Sequence, residues 1–156
     1  MSKIIGISGW SGAGKTTLIE RLIPVLLKKG IRTAVIKHDV HGIDEDDRGK
    51  DSARFREAGA TKCVLCGPEG PSLEEAIDNI ENVDLVLVEG FKNTDIPQIG
   101  IARKANGKGF AAPLNRYMAV VTDLDIEEPV TKFEIDNIEV IADYIIRVMS
   151  LRNEDS

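Results

Sequence analysis

The feature that most constrains this chain is a glycine-rich segment between a short apolar run and a helical pattern. The segment reads Gly9-Trp10-Ser11-Gly12-Ala13-Gly14-Lys15-Thr16, and it fits the pattern GxxxxGK(S/T). Glycines let such a backbone wrap around phosphate oxygens with its N–H groups pointing inward. A helix that begins at Lys15 adds unpaired backbone donors and the positive end of its dipole. The segment therefore predicts a phosphate-binding loop, or P-loop, at residues 9–16.

Three side chains have the chemistry that a nucleotide and its magnesium ion require. Lys15 is expected to reach the β and γ phosphates, and the hydroxyl of Thr16 to bind Mg²⁺. The hydrophobic run 85–88 ends at Glu89, an arrangement that places a carboxylate beside the magnesium ion and the γ-phosphate. A buried strand that merely ends in an acid is the alternative for Glu89. We therefore assign Lys15 and Glu89 as catalytic candidates, and Thr16 and Glu89 as metal ligands.

Six short apolar runs alternate with helical patterns along the chain. Most of them are apolar at consecutive positions, which is typical of strands covered on both faces in a parallel sheet. The predicted fold class is α/β, a three-layer P-loop NTPase sandwich with a mostly parallel central sheet flanked by helices. Residues 1–156 are expected to form one domain, with a frayed tail at 152–156. The predicted strands are Ile4–Ser8, Thr33–Lys37, Cys63–Cys66, Leu85–Val88, Gln98–Ala102 and Ala119–Thr122.

Two helices are predicted in the first half of the chain. The first spans Lys15–Lys29 and stops at Gly30, and Pro24 inside it should cause a kink or an early end. The second lies between Asp51 and Ala58, after a polar loop over residues 38–50.

Two further helices are predicted from capping signals. Ser72 and Glu75 have the spacing of a capping box, and so do Asp136 and Glu139. The last helix is expected to bury one apolar stripe, formed by Ile138, Ile141, Ile145 and Val148.

Charge and hydropathy exclude several kinds of protein. Hydrophobic residues make up 42% of the chain and charged residues 29%, an ordinary globular mixture. The net charge of -6 disfavours a nucleic-acid partner, because an acidic surface repels phosphate backbones. No apolar run approaches the ~18–20 residues that span a bilayer, and the apolar stretch near the N-terminus is too short for the core of a signal peptide. We expect a cytoplasmic protein with no membrane and no nucleic-acid partner.

The loop after the second predicted strand contains His38, Asp39 and His41. It begins at the carboxyl end of a strand, where ligands bind in open α/β sheets. We therefore assign Asp39 as a third catalytic candidate, in a switch-like loop that reaches the magnesium ion or the attacking water. A solvated loop is the alternative, since the spacing of the two histidines matches no strong zinc pattern.

Two other signals have competing interpretations. Cys63 and Cys66 form a CxxC pair, but residues three apart in a strand face opposite sides and cannot share a metal. Buried small hydrophobes are the preferred interpretation for both. Asp123 directly follows the sixth predicted strand, where a carboxylate could accept hydrogen bonds from guanine. A residue that initiates a turn is the alternative for Asp123.

The chain resembles the molybdopterin-guanine dinucleotide biosynthesis protein B (MobB) family over about residues 3–148. Two of the blocks that carry the resemblance are the P-loop and the strand that ends in Thr122-Asp123. The more specific blocks are Lys37-His38 followed by Gly49-Lys50-Asp51-Ser52, then Glu57-Ala58-Gly59-Ala60, and Val88-Glu89-Gly90-Phe91-Lys92.

This resemblance implies a homodimeric GTP-binding protein with weak GTPase activity and Mg²⁺ as cofactor. Its implied role is to assist the nucleotidyltransferase MobA, which joins GMP to molybdopterin. Molybdopterin or its guanine dinucleotide is then a further ligand. The residues assigned to nucleotide binding are Gly9, Ser11, Gly12, Ala13, Gly14, Lys15, Thr16, Thr17 and Asp123.

Three other functions stay open on the sequence. A metallochaperone GTPase for nickel would use His38, His41 and the cysteines. A small-molecule kinase would need a mobile arginine-rich lid, for which residues 48–56 carry the only candidate cluster. A non-catalytic module would bind GTP merely to stabilise a complex.

A basic stretch interrupts the otherwise acidic chain between residues 103 and 116. It contains four cations and no acid: Arg103, Lys104, Lys108 and Arg116. We expect it to capture an anion, either a pterin phosphate or an acidic surface of the partner, with a solvated loop as the alternative.

Overall fold

The computed structural model describes residues 3–38, 45–67, 70–91 and 94–151, and over residues 45–50 it describes the backbone alone. Within these ranges, no helix is both long and apolar enough to cross a membrane.

One sheet forms the centre of the molecule. Its strands are β1 (Lys3–Ser8), β2 (Thr33–His38), β3 (Lys62–Cys66), β4 (Leu85–Glu89), β5 (Gln98–Ala102), β6 (Ala119–Thr122) and β7 (Lys132–Phe133). Their order in space is β3-β2-β4-β1-β5-β6-β7, and every neighbouring pair is parallel. The carboxyl ends of parallel strands lie at one edge, so β1, β2 and β4 bring Ser8, His38 and Glu89 together.

Helices cover both faces of this sheet. They are α1 (Lys15–Lys28), α2 (Glu45–Ala58), α3 (Leu73–Asp78) and α4 (Ile138–Val148). On one face α1, α2 and α4 bury Leu22, Phe55 and Ile145 in a common core. On the other face α3 buries Ala76 against a second cluster that includes Val88. The predicted three-layer α/β sandwich is therefore confirmed, and all seven strands are parallel.

All six predicted strands are present, with ends that differ by one residue at most from the prediction. The seventh strand, β7, was not predicted. It has two residues, of which Lys132 is exposed and Phe133 half-buried, so it carries no apolar run.

The first helix continues through Pro24, so the prediction of an early end there is wrong. An interior proline costs a helix about 3 kcal/mol. Each fully buried leucine or isoleucine contributes roughly 1.5–3 kcal/mol, and α1 buries several of them. Packing therefore outweighs the proline. The buried residues of α1 are Leu18, Ile19, Leu22, Ile23 and Leu26.

The second helix begins earlier than predicted, because α2 starts at Glu45 inside the expected polar loop. Residues 45–47 are all acidic, and acids in a first turn suit the positive end of the helix dipole. That composition was consistent with a helix start as well as with a loop.

One of the two predicted N-caps forms. Ser72 Oγ accepts a hydrogen bond from the backbone N–H of Glu75 at 3.2 Å, and it caps α3. The prediction for Asp136 is wrong, because Asn137 occupies the N-cap of α4 and caps it with no side-chain hydrogen bond. Asp136 instead pairs with Arg21 of α1 at 3.2 Å.

The apolar stripe of α4 differs in part from the prediction. Ile141 and Ile145 are fully buried as expected, whereas Val148 is 37% exposed and Ile138 only half-buried. Tyr144 is buried in their place, where its hydroxyl donates to the carbonyl of Met118 at 3.1 Å.

Candidate functional site

The glycine-rich segment connects β1 to α1, as its sequence context required. Gly12 and Gly14 have φ values of 84° and 99°, which side chains rarely adopt. Gly9 is needed for a different reason: a Cβ there would lie 2.7 Å from the carbonyl oxygen of Ile101. The loop therefore has the backbone shape that needs glycine at each of these positions, and α1 begins directly after it at Lys15.

The hydroxyl of Thr16 and the carboxylate of Glu89 meet although 73 residues separate them in the chain. Thr16 Oγ1 donates to Glu89 Oε1 at 2.7 Å. The contact forms because β4 pairs with β1 in a register that sets Glu89 beside Ile7, just before the loop. Lys15 lies on the same loop and donates from Nζ to the carbonyl of Gly9 at 2.7 Å.

The second oxygen of Glu89 is the least satisfied polar atom of the site. Oε2 is buried, and no residue that the structure describes donates a hydrogen bond to it. A buried acceptor without a donor costs about 1–3 kcal/mol. Hydroxyl and carboxylate oxygens are the ligands that Mg²⁺ prefers, so Thr16 and Glu89 fit a bound magnesium ion. A metal-bound water would also supply the donor that Oε2 lacks.

The site opens into a cavity of about 880 Å³. Eight of the assigned residues line it: Gly9, Ser11, Gly12, Gly14, Lys15, Thr16, Thr17 and Glu89. Ala13 is fully buried in the core beneath the loop and contributes no exposed surface. Asp39 and His41 lie outside the residues that the structure describes.

Asp123 is not among the residues that line this cavity. Its Oδ1 accepts a hydrogen bond from the backbone N–H of Lys104 at 2.8 Å, at the start of the short 3₁₀ helix Lys104–Asn106. The carboxylate therefore holds the segment after β5 against the end of β6, a contact that fits a structural role. The assignment of Asp123 to guanine binding stays a prediction.

The segment after β5 contacts the P-loop, although the sequence analysis predicted no contact between the two. Asn106 Nδ2 donates to the carbonyl of Ser11 at 3.3 Å, and Trp10 Nε1 donates to the carbonyl of Phe110 at 3.2 Å. Arg103 lines the cavity, and its Cδ lies 3.5 Å from the position of a Cβ on Gly14. The basic stretch beginning at Arg103 was the only sequence signal for this contact.

Two aromatic rings form the wall of the cavity beyond Glu89. His38 and Phe91 stack with ring centroids 4.0 Å apart and planes 19° apart. Gly90, with a φ of 94°, allows this approach, because a Cβ there would lie 3.0 Å from His38 Cβ. Phe91 itself has a φ of 53°, a strained value for a bulky residue.

An ion pair with little solvent exposure connects α2 to this site. Lys37 forms an ion pair with Asp51, and its Nζ lies 4.0 Å from Glu89 Oε2. Neither Lys37 nor Asp51 received a role from the sequence, although both belong to the blocks that carry the family resemblance. Their contact depends on how α2 packs on the sheet, which no spacing along the chain reveals.

The two cysteines lie on opposite faces of β3, as their spacing predicted. Cys63 packs against the core cluster that contains Phe55 of α2, whereas Cys66 is buried in the cluster that contains Ala76. Burial raises the pKa of both thiols above its ordinary value. Both are therefore thiols rather than thiolates at neutral pH, and thiolates are the form that binds metal. The residues that the structure describes contain no group of three or more His, Cys, Asp or Glu residues arranged to hold a metal.

Comparison with known proteins gives one family model and two relatives that each match most of the chain. A family model described as "Molybdopterin guanine dinucleotide synthesis protein B" (MobB) matches residues 4–123. The chain is 39% identical over 154 residues to the molybdopterin-guanine dinucleotide biosynthesis adapter protein of Haemophilus influenzae, covering 91% of this chain and 86% of that protein. It is 34% identical over 169 residues to the adapter protein of Escherichia coli, covering 98% of this chain and 97% of that protein.

Solved structures agree on the fold. The crystal structure of Bacillus subtilis MobB matches this chain with a TM-score of 0.66 at 22% identity, and the match covers 94% of this chain and 98% of that one.

Proposed function

Because this chain belongs to the MobB family, we propose that it is an adapter protein of molybdopterin-guanine dinucleotide biosynthesis that binds GTP with Mg²⁺ and hydrolyses it slowly. In this role it assists MobA in joining GMP to molybdopterin. The chain acts as a single domain and as a homodimer.

The contact between Thr16 and Glu89 carries the nucleotide part of this proposal. A hydroxyl on the P-loop and a carboxylate at the end of a neighbouring strand meet at 2.7 Å beside the cavity. These two groups would hold Mg²⁺, which when bound neutralises charge on the β and γ phosphates. The first residues of α1 line the same cavity, and their backbone N–H groups would bind phosphate oxygens. Lys15 would exchange the carbonyl of Gly9 for those phosphates.

Glu89 is the residue that we propose for the hydrolytic step. Its Oε2 is buried and accepts no hydrogen bond from the described residues, so it would accept one from a water at the γ-phosphate. A carboxylate in this position orients that water but supplies no positive charge to the transition state. We therefore expect slow hydrolysis, because fast P-loop enzymes place an arginine beside the γ-phosphate, where it stabilises the charge of the transition state.

We propose GTP rather than ATP as the nucleotide because of the membership in the MobB family. If Asp123 contacts the base, it must do so through Oδ2, since Oδ1 already accepts the N–H of Lys104. Arg103, which lies beside Gly14, and Asn106, which donates a hydrogen bond to Ser11, are the other polar candidates for contact with the nucleoside.

A small-molecule kinase has less support. Arg54 pairs with Glu20 of α1, and Arg56 donates to Ser52 at 3.1 Å. Both arginines therefore already contact side chains on the helices. A lid that closes over an acceptor would have to break these contacts. The side chain of Arg48 lies outside the described residues.

Nucleotide titrations test the proposal. We would measure GTP and ATP binding to the purified protein by calorimetry, with and without Mg²⁺, and then follow phosphate release. We expect GTP to bind more tightly than ATP, Mg²⁺ to strengthen that binding, and hydrolysis to be slow and dependent on Mg²⁺. Equal affinity for the two nucleotides, together with phosphate transfer to a small molecule, would favour a kinase.

A further inference from the structure

Lys37 and Glu89 are direct register partners in the sheet. β2 and β4 are parallel and pair Lys37 with Glu89, so both side chains lie on the face that α1 and α2 cover. The distance from Lys37 Nζ to Glu89 Oε2 is 4.0 Å, too long for a hydrogen bond but short enough for strong attraction. The two side chains are only 15% and 7% exposed, so solvent screens this attraction weakly.

Asp51 competes with Glu89 for the same ammonium group. It lies on α2, is 19% exposed and forms the closer ion pair with Lys37. Its other oxygen lies 3.9 Å from Arg54, which also pairs with Glu20 on α1. One cation is thus shared by two acids, one at the nucleotide site and one on a helix outside it.

From this arrangement we propose that Lys37 is a positioning residue whose charge sets the affinity of the Thr16–Glu89 pair for a divalent cation, and that Asp51 tunes that affinity by drawing Lys37 away from Glu89. The proposal rests on the proposed function, in which Glu89 binds Mg²⁺. It adds that α2 influences the affinity of the metal site through the ion pair between Asp51 and Lys37.

The two partners of the ion pair therefore have opposite effects. Removing the charge of Asp51 leaves Lys37 free to neutralise Glu89, which weakens divalent-cation binding. Removing the charge of Lys37 takes away the cation that competes for Glu89, so divalent-cation binding becomes stronger. Because Asp51 acts through Lys37, it has no effect on the cation once Lys37 is neutral. A pair that serves only to hold α2 on the sheet would instead give the same sign for both changes.

Magnesium titrations of the GTP-bound protein test this directly. Trp10 is the only tryptophan and lines the cavity, so its fluorescence serves as the readout, with calorimetry as a second measurement. We expect Asp51→Asn to weaken Mg²⁺ binding and Lys37→Met to strengthen it, each by roughly fivefold, the size of a partly screened charge contact. Lys37→Arg should stay near the parent value, and the double variant Lys37→Met/Asp51→Asn should match Lys37→Met alone.

A surface ion pair provides the matched control. Arg32 and Asp84 lie 3.3 Å apart and are 54% and 34% exposed. Arg32→Met and Asp84→Asn should leave the Mg²⁺ affinity unchanged. If Lys37→Met does not fold, Lys37→Gln replaces it, and Asp51→Asn remains a test in its own right.

Three results would overturn the proposal. Changes of the same sign in Asp51→Asn and Lys37→Met would show a purely structural pair. Weaker GTP binding by Lys37→Met without Mg²⁺ would show that Lys37 contacts phosphate itself. A parent protein that binds neither GTP nor Mg²⁺ would remove the proposed function as well, which distinguishes that failure from the first two.

Discussion

Glu89 contacts residues of two neighbouring elements because of its place at the end of β4. One of its oxygens accepts a hydrogen bond from Thr16 on the P-loop, and the other faces Lys37. Its exposure is only 5%, so a charge at this position is costly unless a cation or several donors compensate it. If the charge of Glu89 had no function at the site, a neutral side chain at this position would make the protein more stable.

Replacing Glu89 with glutamine separates binding from hydrolysis. The amide keeps the shape and an acceptor for Thr16 but loses the charge that holds the cation and orients water. We expect Glu89→Gln to slow Mg²⁺-dependent GTP hydrolysis by about tenfold or more and to change GTP affinity by less than that. Glu81→Gln, an exposed change just before β4, is the control. Unaltered hydrolysis in a folded Glu89→Gln protein would make Glu89 a structural strand end.

The residues of the site differ in how far the sequence predicted them. The P-loop and Glu89 were predicted because a fixed spacing, or the end of an apolar run, specifies their chemistry. Lys37, Asp51 and Asn106 were not, because each acts through a partner that only the folded chain brings near. The Glu89–Lys37 contact follows from a strand register, and the Lys37–Asp51 contact from helix packing.

At the scale of elements, apolar runs predicted strands better than caps predicted helices. A buried strand in a parallel sheet leaves a continuous apolar signature, whereas a helix end depends on one or two side chains. Pro24 and the start of α2 show the limit of predicting helix ends from local sequence. Packing of α1 outweighed the proline, and the acids at 45–47 suited either a loop or a helix.

The two capping-box sequences provide a test of this point. Ser72 caps α3 with a side-chain hydrogen bond, while Asp136 makes only an exposed ion pair with Arg21. We expect Ser72→Ala to lower the free energy of unfolding by about 1 kcal/mol. Asp136→Ala should cost less than about 0.5 kcal/mol, the lower part of the range of about 0.2–1 kcal/mol for exposed ion pairs, because the Asp136 side chain is 91% exposed. Urea denaturation of both variants measures the difference, and Ser72→Asp should restore most of the loss. Equal losses in Ser72→Ala and Asp136→Ala would contradict the assignment of the caps.

At the scale of the whole molecule, the charge distribution is uneven around the site. The chain has a net charge of -6, yet the segment from Arg103 to Arg116 contains four cations and no acid. The structure attaches this segment to the P-loop through Asn106 and Trp10 while leaving Lys104 and Lys108 exposed. An acidic partner or an anionic pterin bound there would lie next to the nucleotide.

Neutralising the exposed lysines tests this surface. We expect Lys104→Gln/Lys108→Gln to leave GTP affinity unchanged and to weaken binding of molybdopterin or MobA several-fold at low salt. The difference should shrink as salt rises, because exposed charges are screened. Lys3→Gln/Lys62→Gln, exposed lysines on strands β1 and β3, is the control. Identical binding of both ligands by the parent and the variant at low ionic strength would remove this segment from partner recognition.

The central claim is that residues 9–16 bind the phosphates of GTP, and Lys15 tests it most directly. Lys15 is the cation that the loop places beside the cavity at the start of α1. Calorimetric titration of GTP into Lys15→Ala should show a loss of affinity of about tenfold or more, since hydrogen bonds to charged groups contribute about 1.5–3 kcal/mol. Lys28→Ala, an exposed change in the last turn of α1, should bind GTP as the parent does. Unchanged GTP affinity in a Lys15→Ala protein that unfolds at the parent's temperature would contradict the account.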